Sequence, residues 1–520
     1  MVMKKILMKI YGIALLGIMT MSCSLEPVNF SQLAPDNSLN TESDLAAAVT
    51  GVYHEFRQGG WGAYNCSWGS LLTLQVGCTD EADCNWVWDQ QLNYMWLPYD
   101  DTDHWESQFY TTFVPAITRI TALLERMKRL SISAPVKRQY SAELRTIRAM
   151  FAYDLYDLYG TVPIIVDGDL ATDSEKAMAW EPVRPTVDWY VNFLETELTE
   201  VQENLKTQDK LLPTEWGRVT VGVAQMYLLK LYMHEAGQET HYREGGEAAA
   251  AKWWKKAADL AEKMMQPGTP YGLMKDYMGI WEPDNKGNKE VIFAISCMPT
   301  GGLGNNFLAH TLPADYVSRK DVPLTCWGGF LGTWETYDSF AAGDKRRNGL
   351  VAEYWNGTKM VNRRTDKISG KSAPFPMKYP ENSTTNGNWD SSDYVLERYA
   401  DVILSRAEAL NELNGPTDEV KSLIHQVRAR AFDNYAGSAN EKAVNDIHDK
   451  DAMRQHILNE RLWEFYWEGK RRPDLIRNGS LISNAQARGK TFAEDKHILY
   501  CIPQSVRYES PTIAQNPGWD

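Results

Sequence analysis

Cysteine is scarce and unpatterned in this chain. The seven residues are Cys23, Cys66, Cys78, Cys84, Cys297, Cys326 and Cys501, with no CxxC pair and no histidine at zinc-finger spacing. That excludes a structural zinc of the usual kind. Outside a reducing compartment one or two disulfides stay open, Cys78–Cys84 being the nearest pair, and spacing does not set their connectivity. No run of lysine and arginine exceeds three residues, and the formal net charge is −14, so a nucleic-acid partner is not expected. After residue 22 no apolar run approaches the length needed to cross about 30 Å of hydrocarbon, which leaves a water-soluble body.

Catalytic motifs are missing too. His234-Glu235 is followed at 238 by Gln, where a zinc helix needs His, and the pair reads as the exposed end of a helix. Gly301-Gly-Leu-Gly304 lacks the strand–helix setting and the lysine of a phosphate loop. Asp100-Asp101-Thr102-Asp103 lacks the glycine and terminal glutamate of an EF-hand loop and reads as a solvated acidic turn. No GxSxG is present, and among 68 acids no carboxylate pair stands out for glycoside hydrolysis. No metal or cofactor is implied.

What the chain does have begins at its N-terminus. Lys4, Lys5 and Lys9 precede an apolar stretch from Ile10 to Met21, the length of a signal-peptide core. Ser22-Cys23 closes it, which predicts cleavage before Cys23 and lipid on its sulfur. Each buried CH₂ contributes about 0.8 kcal/mol, so two or three acyl chains anchor where one does not. Thr20 departs from the large aliphatic residue usual three places before such a cysteine. Removing residues 1–22 takes away three lysines and no acids, so the net charge moves from −14 to −17.

The expected organisation is a signal peptide at 1–22, a lipid anchor and tether at 23–40, and one body at 41–520. Thr41-Glu-Ser-Asp44 spells a capping box ahead of Leu45, Val49 and Val52. Helical periodicity then marks pairs near 105–130 with 137–160 and 186–206 with 217–236, and another helix at 247–266. Tyr399, Val402, Ile403, Leu410 and Leu413 recur at helical spacing up to Asn414-Gly415-Pro416, after which Val420, Leu423, Ile424 and Val427 continue a hairpin, with Pro416 placed to begin its second helix. The fold class is mainly α: stacked tetratricopeptide-like helix hairpins over about 41–266 and 394–479. Between them, about 268–393, glycine, proline, asparagine and tryptophan replace periodicity, and Glu290–Ile295 reads as one short strand. Long irregular stretches on a helical scaffold are where ligands usually bind.

The most distinctive segment is Ile457-Leu-Asn-Glu-Arg-Leu-Trp-Glu-Phe-Tyr-Trp-Glu-Gly-Lys-Arg-Arg-Pro-Asp-Leu-Ile-Arg477. Glu460, Glu464 and Glu468 fall four apart, and like charges so placed repel by roughly 0.2–0.5 kcal/mol per pair unless countered. Arg461, Arg471, Arg472 and Arg477 are the expected counter-ions of a partly buried network. This segment resembles the C-terminal motif of the SusD/RagB family, surface lipoproteins of Bacteroidetes nutrient-uptake systems. Arg398–Asn411 with Val427-Arg-Ala-Arg-Ala431, Ala142–Ala149 through Leu158-Tyr-Gly-Thr-Val-Pro163, and Ile502-Pro-Gln-Ser505 with Gln515-Asn-Pro-Gly518 resemble further family segments, in order along the chain. The resemblance implies a binding protein and not an enzyme. Such a protein is held at the outer membrane by lipid on Cys23, exposed at the cell surface. It captures an oligosaccharide, or in some members a peptide, and passes it to a SusC-like TonB-dependent transporter.

Tryptophan placement supports sugar as cargo. Trp61, Trp68, Trp86, Trp88, Trp96 and Trp105 fall within 45 residues, and Asn85, Asp89, Gln90 and Asn93 interleave with them. Flat sugar faces pack on aromatic rings while neighbouring amides and carboxylates bond the hydroxyls. Trp86, Trp88, Trp96, Trp61, Asn85 and Asn93 are therefore candidate ligand contacts in an early loop. The resemblance implies a second loop that includes Trp327 and extends toward Trp334. Trp105, Trp253, Trp254, Trp463 and Trp467 read as packing. Two other classes stay in play: a secreted glycoside hydrolase on a helical scaffold, and a repeat scaffold that binds only proteins.

Overall fold

A computed structural model of the chain describes residues 39–58, 62–67, 69–86, 107–366 and 371–519. Helix formation begins with local chemistry at Thr41. Its hydroxyl accepts from the Asp44 N–H at 3.1 Å, and the Asp44 carboxylate accepts from the Thr41 N–H at 2.8 Å, closing the box that starts α1, Glu42–Tyr53. There follow α2 (Ser107–Lys128), α3 (Ala134–Tyr159), α4 (Val187–Glu200), α5 (Val221–His241) and α6 (Gly246–Met264). From Ala142 onward α3 is buried almost all round, which makes it the central helix. After the insertion come α7 (Tyr399–Asn414), α8 (Asp418–Arg428), α9 (Lys450–Phe465) and the short α10 (Arg471–Arg477).

The fold is mainly helical, and neighbours in sequence pack together: α2 on α3, α4 on α5, α5 on α6, α7 on α8. α6 also packs on α7, so the helices before and after the insertion share one core. The α7–α8 hairpin turns at Gly415, whose φ of 74° with ψ of −167° is open to glycine and closed to other residues. Pro416 does not begin α8. Thr417 caps it, accepting from the Val420 N–H at 3.3 Å, and the helix starts at Asp418.

Paired short strands tie the insertion to the rest of the chain. β1 (Ala82–Cys84), β2 (Val291–Ile295), β3 (Phe330–Gly332) and β4 (Tyr394–Arg398) form two antiparallel pairs, β1 with β3 and β2 with β4. β2 and β4 close the insertion at its base, and β4 runs straight into α7. A separate small core of Leu308, Leu312, Tyr316, Leu331, Tyr354, Val361, Ala373 and Phe375 holds its outer part. No disulfide joins the described cysteines, so neither Cys78–Cys84 nor another described pair is bridged. Among the described residues no helix is long and apolar enough to cross a membrane.

The acidic stripe is buried as expected, but its counter-ions differ. Glu460 binds Arg346 at 2.7 Å and also Arg428. Glu464 binds Arg398 and Arg430, each at 2.6 Å, and Arg346 at 3.1 Å. Helix α9 stops at Phe465, and Glu468 follows a left-handed Trp467 (φ 57°), so it lies beyond the helix and meets Arg398 at 2.6 Å and Lys378. The expected arginines face elsewhere. Arg461 is one residue past Glu460, about 100° round the helix, and reaches Asp401 and Asp474, each at 2.9 Å. Arg471 binds Asp80 at 2.7 Å, Arg472 binds Asp157 at 3.2 Å, and Arg477 binds Asp474 at 2.7 Å and Glu408. All three lie on α10, which packs against α5.

Candidate functional site

Two of the predicted contact residues lie far apart in sequence and close in space. The β1–β3 ladder continues past its end: the Asn85 N–H donates to Gly329 O at 2.7 Å, and Asn85 Nδ2 donates to Gly328 O at 3.3 Å. The facing segment is fixed from behind, since the Trp327 and Gly329 N–H groups donate to Ala309 O and His310 O at 2.8 and 2.9 Å. Residues 309 and 310 belong to a one-turn helix, Phe307–Thr311.

His310 is the hub of the resulting ring cluster. It is fully buried, edge-on to Trp327 with centroids 4.7 Å apart, stacked on Phe330 at 5.7 Å, and edge-on to Trp86 at 6.1 Å. Trp86 also meets Phe330 at 5.3 Å. Burial pushes the His310 imidazole down to about 4, so it is neutral at neutral pH. Its Nδ1 lies 3.1 Å from Asn306 O, which accepts and so places the proton on Nδ1. Glycine makes the cluster tight. A methyl group at Gly329 would stand 2.2 Å from the Trp86 ring.

Trp86 and Trp327 are both half-buried rings, with one side committed to this cluster. Asn85 supplies the polar element. Its Oδ1 is buried and has no hydrogen-bond partner, while its Nδ2 is held by Gly328 O, which fixes the amide orientation. An orphaned acceptor of this kind destabilises the fold by about 1–3 kcal/mol until something donates to it.

Trp61, Trp88, Trp96 and Asn93 lie outside the described residues, as do Trp68, Asp89, Gln90, Trp105, the acidic turn at 100–103 and Cys23. The run that opens at Asp83 is not loop from its start, since β1 extends through Cys84. Trp334 stands apart from the cluster. It begins a short helix, donates from Nε1 to Ser372 O at 3.0 Å, and carries the Arg364 guanidinium 3.8 Å over its ring. Trp253, Trp254 and Trp467 are buried. His234-Glu235 is not an exposed helix end, because α5 continues to His241. Glu235 is buried against Tyr156 and Arg243, and His234 lies 3.3 Å from Asp157. Sequence reading missed His310 and Phe330. The signal for a close ring contact was the glycine pair in Cys326-Trp-Gly-Gly-Phe330.

Comparison with known proteins agrees with this architecture. Residues 354–519 match the family model described as the SusD family. The starch-binding protein SusD of Bacteroides thetaiotaomicron is 23% identical over 511 residues, covering 85% of this chain and 84% of the relative. A SusD homolog of known structure from the same organism superposes with a TM-score of 0.76 at 22% identity, covering 93% of this chain and 98% of that one. The surface glycan-binding protein A from B. thetaiotaomicron, solved in complex with laminarihexaose, superposes with a TM-score of 0.69 at 19% identity, covering 91% and 99%.

Proposed function

The chain belongs to the SusD/RagB family, and from that premise we propose that it is a non-catalytic, cell-surface glycan-binding protein. It captures oligosaccharide and hands it to a SusC-like TonB-dependent transporter, tethered to the outer membrane by lipid on Cys23. The observation that carries this reading is the unpartnered Asn85 Oδ1 beside the half-buried rings of Trp86 and Trp327. A small shift that exposes this buried oxygen lets a sugar hydroxyl donate to it while a C–H face packs on a ring. The early-loop residues Trp88, Asn93 and Trp96 follow directly in the chain and are proposed to complete the site, with Trp61 contributing from the preceding segment. Names among the relatives support the ligand class, one being starch-binding and another holding laminarihexaose.

The test is calorimetric titration of the form starting at Ser24 with neutral oligosaccharides, led by laminarihexaose and a malto-oligosaccharide. Saturable binding is expected. Asn85→Ala and Trp327→Ala should each weaken it about tenfold, a loss of about 1.4 kcal/mol, with Asn85→Ala causing no fall in Tm and Trp327→Ala, which loses its contact with His310, lowering Tm while the protein stays folded. Variants that bind like the parent, or a parent that binds no neutral oligosaccharide, overturn the site. A mass measurement on native protein decides lipidation of Cys23.

A further inference from the structure

A cleft of about 640 Å³ opens in the outer part of the insertion, lined by none of the residues of the Trp86–Trp327 cluster. Tyrosines 316, 337 and 354 supply its aromatic wall, and Arg319, Lys320, Arg347 and Arg364 its charge. The two regions share a support. Tyr316 and Tyr354 belong to the small core of the insertion, against which Cys326, the neighbour of Trp327, also packs.

The charge in this cleft is unbalanced. Of its two acids, Glu381 is satisfied internally. Tyr316 and Ser318 hydroxyls donate to it at 2.5 and 2.8 Å, and the backbone N–H groups of Arg319 and Lys320 donate at 3.0 and 3.1 Å. Burial alone raises its carboxyl, but these donors hold it below the ordinary glutamate value. Glu353 accepts from Asn362 Nδ2 at 2.7 Å. Arg364 is paired with Asp338, and Lys320 Nζ donates to Glu381 O at 2.7 Å. Arg319 and Arg347 have no ion-pair partner among the described residues, and the Arg347 guanidinium lies 5.2 Å over the Tyr337 ring. Beside Tyr354, Arg363 is 1% exposed and also makes no ion pair, and its Nη1 is unbonded. Two unpaired guanidiniums lining one cleft, with a third buried behind Tyr354, are a local exception to the sign of a chain of net charge −14.

We propose that this cleft is a second carbohydrate subsite that selects an anionic sugar, one bearing a carboxylate or a sulfate ester. Guanidinium groups present parallel N–H donors that match either anion, and tyrosine faces accept the sugar ring. This rests on the reading of the protein as a glycan binder, and it adds a ligand class to that reading.

The experiment compares three oligosaccharides of equal length by calorimetry: a neutral glucan, an oligouronate and a sulfated oligosaccharide, with an oligoglutamate peptide as control. At least one charged sugar is expected to bind tenfold or more tighter than the neutral one at low salt, and to lose that advantage as sodium chloride rises. Whichever of the two responds identifies the anion. Arg347→Ala combined with Arg319→Ala should remove the advantage and leave neutral binding unchanged, whereas Trp327→Ala weakens neutral binding. Both arginines are solvent-accessible, so a Tm equal to the parent is expected of the pair variant. Charged sugars that bind no better than neutral ones, or a pair variant that keeps the preference, overturn the subsite and leave the function intact. Binding of the peptide in place of both sugars overturns the carbohydrate assignment. Failure of every sugar overturns both proposals.

Discussion

Two regions of this molecule treat charge in opposite ways. Around α9, Glu460 and Glu464 have 0% exposed side chains, and each is met by at least two arginines. In the outer insertion, Arg319 and Arg347 face a cleft with no carboxylate partner, and at the nearby strand crossing Asn85 Oδ1 has no donor. Burying a charge is unfavourable unless it is paired and bonded, so a complete network reports on folding. A polar group left without a partner in a rigid frame reports on something that arrives later.

The largest test of that contrast removes Glu464. Glu464→Ala takes one partner each from Arg346, Arg398 and Arg430, all buried, and should destabilise the protein by about 3–5 kcal/mol in denaturant unfolding. Arg347→Ala should leave the same measurement unchanged while altering ligand preference. If the two substitutions move stability equally, paired and unpaired charge do not separate structure from function here.

How much of this was legible beforehand follows the range of each interaction. The Thr41–Asp44 box and the Gly415 turn are decided within four residues, and both stand as read. The burial of Glu460 and Glu464 was readable because only pairing makes like charges at that spacing tolerable. Their partners were not, since Arg428 lies 32 residues from Glu460, Arg398 lies 66 from Glu464, and Arg346 lies 114 from Glu460. Local sequence offered Arg461 and α10 instead, which point the wrong way. Trp86 and Trp327 were both marked by the company they keep, tryptophan beside asparagine or glycine. The histidine that joins them was not marked, because a lone His310 in an apolar stretch looks the same whether it is a hub or a filler.

Glu81 lies on the seam between the two regions and sharpens the comparison through pH. It is 1% exposed, its Oε2 accepts from the Trp467 N–H at 3.1 Å, and its Oε1 has no partner. Burial pushes its carboxyl up from 4.5 to about 8. Below pH 4.5 the group is protonated in both folded and unfolded chains. As pH rises toward about 8 the unfolded chain ionises while the fold holds its proton, so the stability that Glu81 contributes is lost. Glu81→Gln stays neutral and should gain on the parent between pH 5 and pH 8, by on the order of 2 kcal/mol. Thermal unfolding of both proteins at the two pH values reads this. A constant difference in Tm across that window means that Glu81 is already ionised in the fold, and the seam then belongs with the fully paired region.

A smaller loss of stability than at Glu464 or Glu81 is expected at the site itself. A methyl group at Gly329 meets the far edge of the half-buried Trp86 ring at 2.2 Å, and its three nearest neighbours are all atoms of that ring. The ring therefore yields, and Gly329→Ala should destabilise by about 1 kcal/mol, the low end for overpacking. Its effect on binding should be larger than that figure suggests. Moving Trp86 disturbs the edge contacts to His310 and Phe330 and shifts the neighbouring Asn85, whose N–H is bonded to Gly329 O. Tryptophan fluorescence should change with little loss of Tm, and affinity for neutral oligosaccharide should fall several-fold while preference for a charged sugar persists. A variant that binds neutral sugar as the parent does places the glycan on the rings beyond Trp86 and leaves the His310 cluster a purely structural support.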